Sequence, residues 1–325
     1  MMKAPTGDEV VPGDRPDISV VVMGYRNETT IADAVRSVLD QEADARVEVV
    51  VVTSGGDESG NVVRHRFPTV AVIQSEERLM PGGARNVGLE AARGEVVAFL
   101  AADCRAEPGW VHARLAAHRA GHPVVAGAVT AALPAGAVAW GSHLALYCGR
   151  LPGRRRGPVC FPDPAAHGSS FDRDVLERVG PFDAALRIGE DTDFTRRLAD
   201  ADIPVWFEPS VRTAHRGPGR VGELIADHCE RGRRSVRHLH DCVRTEARPR
   251  TDCGLEISAR RAVVVAPAAV LFTLRTVTAE AWRNSPGGRL RLLVALPWTA
   301  VAVGAGTVGR YRQRVALGRD DATRR

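Results

Sequence analysis

The chain has 325 residues, enough for one large domain with an appendage or for two domains. Its 44% hydrophobic and 26% charged residues give a globular composition, and a formal net charge of +5 is carried by arginine, since Lys3 is the only lysine. Aromatics make up 5%, and no nucleic-acid module is recognisable, which argues against a nucleic-acid partner.

In chain order, residues 1–17 are polar, carry three prolines and lack the apolar core of a secretory leader. They predict a disordered N-terminus on a cytosolic protein with reduced thiols. The run ISVVVMGY reads as a buried strand, and Glu28 to Leu39 as a helix with Ile31, Val35, Val38 and Leu39 on one face. Val47–Val52 predicts a second buried strand, ended by the turn sequence TSGGDESG. A helical stretch follows, then a short strand at Val70–Ile73, a glycine loop at Pro81–Gly83 and a helix from Ala84 to Ala92 stopped by Gly94. Glu95–Leu100 predicts another buried strand.

Strands alternating with helices imply an α/β fold with a mostly parallel sheet and helices on both faces. Ligands bind such sheets beyond the carboxyl ends of the strands. Those ends are Gly24–Asn27, Thr53–Asp57 and Ala101–Cys104, so Gly24, Tyr25, Asn27, Thr53, Ser54, Asp57, Ala102 and Asp103 are candidates for binding a ligand.

Residues 121–165 are rich in Gly, Pro and Ala and weakly periodic, and GRLPGRRRGP within them reads as a mobile basic loop. A helix carrying Phe194 and Leu198 inward and a strand at Ile203–Phe207 follow. Beyond Arg220 the composition changes. Residues 221–261 read as helical and rich in Arg and His, and two uncharged apolar stretches, 262–274 and 292–308, precede a charged tail. The cysteines form no CxxC pair, and the His228 to Cys253 cluster fits no standard zinc spacing. The division expected is a disordered 1–17, an α/β domain over 18–220 and a helical region over 221–325.

Six segments in order carry a resemblance: SVVVMGYRNE, SVLDQ, VEVVVVTSGGDES, PGGARNVGLEAARGEVVAFLAADCRAEPGW, GSSFDRDVLERVGPFD and GEDTDFTRRLADADIPVWFEPSVRTAHR. Together they resemble the family 2 glycosyltransferases, nucleotide-diphospho-sugar transferases of the GT-A fold. That resemblance implies a Rossmann-like sheet and an inverting, non-processive transfer of sugar from a nucleotide-sugar donor to an acceptor hydroxyl. It places Asp191 as general base with Glu190 orienting it. Arg85 and Asn86 fall beside the donor diphosphate, and Gly168, Ser169 and Ser170 on the acceptor side. Asp103, with His215, falls at a Mg2+ or Mn2+ site. Capping of the helix that begins near Glu190 is the structural alternative for the two acids.

Two departures from the family pattern stand out. An Asp pair usual after the second strand is replaced by Thr53 and Ser54, with Asp57 following. The usual DxD motif reads Ala101-Ala102-Asp103, so one acid remains. Three readings follow: a metal held weakly through Asp103, arginine in place of the metal, or a changed donor or lost catalysis, as in a non-catalytic binding protein of the same fold. The 17-residue apolar stretch 292–308 is shorter than the ~20 residues that span a bilayer. With flanking arginines it predicts an interfacial hairpin on the inner face of the membrane and a lipid-linked or membrane-delivered acceptor, against a soluble helical cap as the alternative.

Overall fold

The computed structural model describes residues 15–159, 168–186, 189–244, 259–284 and 289–323. Of the disorder predicted for residues 1–17, residues 1–14 lie outside what is described, as do the thiols of Cys160, Cys242 and Cys253, while Pro16 and Asp17 are ordered against the sheet, the Asp17 amide donating to the Arg46 carbonyl at 3.0 Å. The chain builds a mixed sheet from β1 (Ile18–Gly24), β2 (Val47–Ser54), β3 (Ala71–Ser75), β4 (Val96–Ala101), β5 (Cys104–Ala106), β6 (Val124–Ala131), β7 (Gly157–Val159), β8 (Ser170–Asp172) and β9 (Val205–His215). Their order is β3-β2-β1-β4-β8-β6-β9-β5, with β7 on β9.

The first half, β3-β2-β1-β4, is parallel throughout, as the strand-helix alternation predicts. Beyond β4 the pairing is mixed. β8 runs antiparallel to both β4 and β6, β5 and β7 run antiparallel to β9, and β6 runs parallel to β9. Pro209, which cannot donate to a ladder, falls where the β6–β9 register shifts between Gly127 and Ala128.

Alternation along β1 sends Ile18, Val20 and Val22 to one face, where they pack with Ile31, Val35 and Val38 of α1 (Ile31–Leu39), Val63 of α2 (Ser59–Arg66), and Trp110 and Leu115 of α4 (Trp110–Arg119). Val21 faces the opposite layer, formed by α3 (Pro81–Ala91), α6 (Arg173–Val179) and α7 (Glu190–Asp200). In that layer Phe99, Phe171, Phe182 and Phe194 form an aromatic cluster, with Phe182 stacked on Phe194 at 4.1 Å and edge-on to Phe99 at 5.5 Å. Such pairs each add about 0.5–1.5 kcal/mol beyond burial. They fix the 181–183 segment and the start of α7 against the sheet.

Several sequence expectations are corrected. The Pro81–Gly83 loop is the first turn of α3, with Pro81 at a position where its missing N–H costs nothing. The weakly periodic middle contains β6 and α5 (Ala137–Tyr147); α5 is apolar nearly all round, which leaves no period to read. The predicted 203–207 strand extends to His215.

The C-terminal apolar stretches become long helices, α9 (Ala259–Asn284) and α10 (Arg289–Thr323), preceded by α8 (Val221–Arg244). They pack on the α/β domain. Leu292 and Ala295 of α10 and Val277 and Ala281 of α9 bury Leu144 and Leu151. A side chain at Gly141 of α5 would strike the backbone of Trp298 and Thr299, so the two helices touch closely there.

Candidate active site

Register brings the strand ends level. Gly24 lies opposite Thr53, Met23 opposite Ala101, and the Ala102 amide donates to the Met23 carbonyl at 2.8 Å. Above them the β1 and β2 loops are tied together. Asp57 accepts from the amide of Arg26 and from the amide and hydroxyl of Ser59 at 3.0 and 2.9 Å. The Asn27 amide donates to the Ser59 hydroxyl at 3.0 Å, and the Asn27 side chain accepts from the Tyr25 amide at 2.9 Å. Asp57 and Asn27 therefore shape the rim.

Gly55, at φ +88°, lets the Tyr25 ring lie against its backbone; a Cβ there would come within 2.6 Å of the ring. The Arg78 guanidinium sits 4.2 Å from the ring centroid. Tyr25 and Arg78 thus form a stacked cation–aromatic platform beside the strand ends. Arg78 was not anticipated, because a lone arginine in EERLM gives no signal of that contact. Thr53 and Ser54 are buried, and the Thr53 hydroxyl has no hydrogen-bond partner among the described residues.

Asp103 follows β4 directly. Antiparallel pairing of β5 with β9 puts Cys104 opposite His215, and the Arg216 amide donates to the Asp103 carbonyl at 3.0 Å. His215 Nε2 stands 3.7 Å from Asp103 Oδ2, and Cys104 Sγ 3.5 Å from Asp103 Oδ1. Ligand atoms of these three residues all lie within 4.8 Å of one another. Burial holds the His215 pKa below its ordinary value despite the attraction of Asp103, so the ring is neutral and able to ligate. Burial and the neighbouring Asp103 push the Cys104 thiol well up, which keeps it protonated. A carboxylate and a neutral imidazole fit a divalent ion that takes its remaining ligands from phosphate and water. Tyr147 of α5 packs edge-on to His215 at 5.3 Å, a second contact that the apolar LALYC sequence did not advertise.

The acids of the GED segment open α7, whose N-cap Gly189 is left-handed at φ +87°. Glu190 is 6% exposed and pairs at 2.7 Å with Arg85, itself 4% exposed and set against the rings of Phe99 and Phe182. Asp191 is half-buried, and one of its oxygens accepts from the Thr192 amide at 2.8 Å.

Arg85 and Asn86, expected beside the donor diphosphate, are both engaged within the fold. Ala84, Arg85 and Gly88 make the buried stripe of α3, so Arg85 points inward to Glu190. Asn86 spends both ends of its amide on the Phe182 backbone, at 2.8 and 2.9 Å. On the other side, Ser169 and Ser170 are fully buried. The Ser170 hydroxyl meets Arg114 at 3.0 Å and His118 at 2.8 Å, while the Gly168 carbonyl accepts from Arg114 at 2.5 Å. Of that trio the two serines are held inside the sheet layer and Gly168, at φ +64°, makes the turn above it.

The sheet, parallel in its first half and mixed beyond β4, with helices on both faces, is a fold of the GT-A type. Residues 19–180 match the family described as glycosyl transferase family 2, and the chain belongs to that family. It is similar to the glycosyltransferase AglE of Haloferax volcanii, 28% identical over 218 residues that cover 65% of this chain and 70% of AglE. A shorter stretch of 109 residues is 38% identical to the succinoglycan biosynthesis protein ExoO of Rhizobium meliloti, covering 33% of this chain and 30% of ExoO. Among solved structures, the mannosyltransferase PcManGT from Pyrobaculum calidifontis, in complex with GDP-Man and Mn2+, superposes with a TM-score of 0.55 at 20% identity. That likeness of fold covers 96% of this chain and 91% of PcManGT, so it includes the C-terminal helices.

Proposed function

We propose that this protein is an inverting, non-processive glycosyltransferase that moves a sugar from a nucleotide-sugar donor to the hydroxyl of a lipid-linked acceptor. The observation that carries this reading is the Asp103–His215 pair, 3.7 Å apart at the end of β4. The donor's base stacks on Tyr25 beside Arg78, with the Thr53 hydroxyl below as a neutral hydrogen-bonding group. Asp103 and His215 would hold Mg2+ or Mn2+, which supplies positive charge against the departing diphosphate.

Asp191 takes the proton of the acceptor hydroxyl. The acceptor oxygen then forms its bond to the anomeric carbon from the face opposite the diphosphate. The carbon–oxygen bond to the diphosphate breaks, and the nucleoside diphosphate leaves with the electron pair. The buried Arg85–Glu190 pair holds the first turn of α7, so the carboxylate one residue on is set by a rigid neighbour. The lipid-linked acceptor is supported by the exposed apolar residues Leu290, Leu293 and Val294 on α10 and Leu271 and Phe272 on α9.

Ala101, standing where the family has its first acid, favours a second reading as a binding protein without turnover. Asp191→Asn separates the two. In the enzyme it lowers turnover by roughly 10²–10⁴-fold with an unchanged melting temperature, and the wild-type product carries the inverted anomeric configuration by NMR. Unchanged turnover would remove Asp191 as base, and a retained configuration would rule out single displacement.

A further inference from the structure

The segments that carry the resemblance end at Arg216, and α8 follows them and packs on α5 beside the strand-end cluster. Leu224, His228 and Arg231 recur at helical spacing on one face of it. Leu224 is buried, and His228 Nε2 lies 2.9 Å from the Ser142 hydroxyl of α5, so that face is turned toward α5. The same α5 presents Tyr147 to His215 at 5.3 Å, and His215 stands 3.7 Å from Asp103.

Arg231 extends this line. Its Nε donates to Asp227 at 2.8 Å, and the two side chains are 48% and 41% exposed. Among the described residues its two terminal nitrogens make no hydrogen bond or ion pair. Burial works against its charge, but Asp227, Tyr147 and Asp103 outweigh that and raise its pKa, so Asp103 and Tyr147 are within electrostatic reach. His215 feels the same guanidinium. The arginine first expected beside the diphosphate, Arg85, is committed to Glu190, and Ala101 leaves the strand end one carboxylate short. A diphosphate there meets less repulsion than in a site with two acids; Arg105 and Arg216 line the cavity at Asp103, and Arg231 adds from α8 a fork whose terminal nitrogens are unengaged among the described residues.

We propose that Arg231, delivered by the C-terminal helix α8, is a donor-binding residue that grips the diphosphate of the nucleotide sugar and takes over part of the charge neutralisation otherwise left to a divalent ion. This rests on the glycosyl-transfer reading above. It makes the C-terminal helices part of the active site and assigns α8 a binding role that the strand-end motifs do not contain.

The test compares UDP and GDP with uridine and guanosine, by calorimetric titration of the full-length protein with and without Mn2+. Arg231→Gln keeps much of the apolar stem and removes the charge. It is expected to weaken binding of the preferred diphosphate roughly 10- to 100-fold without metal, to leave binding of its nucleoside unchanged, and to make diphosphate binding depend on Mn2+. Arg231→Lys should recover part of the loss, because it restores a point charge without the fork. Equal weakening of nucleoside and diphosphate would mark a structural role and overturn the proposal, as would unchanged diphosphate affinity. Wild-type protein that binds neither diphosphate would overturn the sugar-nucleotide reading on which the proposal rests.

Discussion

The guanidinium of Arg85 reaches Glu190 across 105 positions of sequence to form a pair that is nearly sealed from solvent. A buried pair of this kind contributes little net stability when intact and costs much when halved, because the remaining charge has nowhere to go. Arg85→Met is therefore expected to destabilise the fold by roughly 3–5 kcal/mol in urea unfolding, and the double variant Arg85→Met with Glu190→Met to recover most of the loss. A single variant as stable as wild type would show that water reaches Glu190. At this scale the sequence was informative about which residues matter and silent about where they point. The ARN and GED segments were both legible as motifs. The inward direction of Arg85 was not read from them, although Ala84, Arg85 and Gly88 share one helical stripe. Asn86 and Ser170 likewise hold backbone and side-chain partners far away in the chain, and no local pattern encodes a partner 50 or more positions off.

Among elements, the four parallel strands were readable because each is a short, mostly apolar run rich in valine and isoleucine or phenylalanine and bounded by polar or turn residues. The three-residue strands β5 and β8 were not, since so short a segment has no period. β5 is nonetheless what sets His215 beside Asp103. The longest helix, α10, was read only in part. Its stretch Leu290–Ala316 is long and apolar enough to cross a bilayer, by length and composition alone. Leu292, Ala295, Thr299 and Ala302 on it are buried, while Leu290 is 76% exposed with Leu293 and Val294 beside it. Together with Phe272 of α9, 73% exposed, and the exposed Arg275, Arg283 and Arg291, this one-sided arrangement suits a helix lying in an interface. The protein is expected to float with vesicles containing anionic lipid, and Leu293→Glu with Val294→Glu to lower the bound fraction by roughly 10-fold. Equal flotation of variant and wild type would leave these residues as the outside of a soluble cap.

For the molecule as a whole, the change of composition near Arg220 marked a boundary in sequence that is no boundary in packing. α8, α9 and α10 close over α5, which carries Ser142 against His228 of α8 and Tyr147 against His215, so the C-terminal region packs next to the strand-end cluster. Composition reports where a pattern changes; it does not report which apolar face the new segment covers. In the proposed function a nucleoside diphosphate binds at the strand ends with Asp103 and His215 beneath it. The most direct measurement is a thermal-shift panel of UDP, GDP, dTDP and CDP, each with and without Mn2+, on wild type and on Asp103→Asn. One nucleotide at about 100 times its dissociation constant should stabilise wild type by roughly 2.7 kcal/mol, with an Mn2+ increment that Asp103→Asn abolishes. No shift with any of the four, in either condition, would contradict the account.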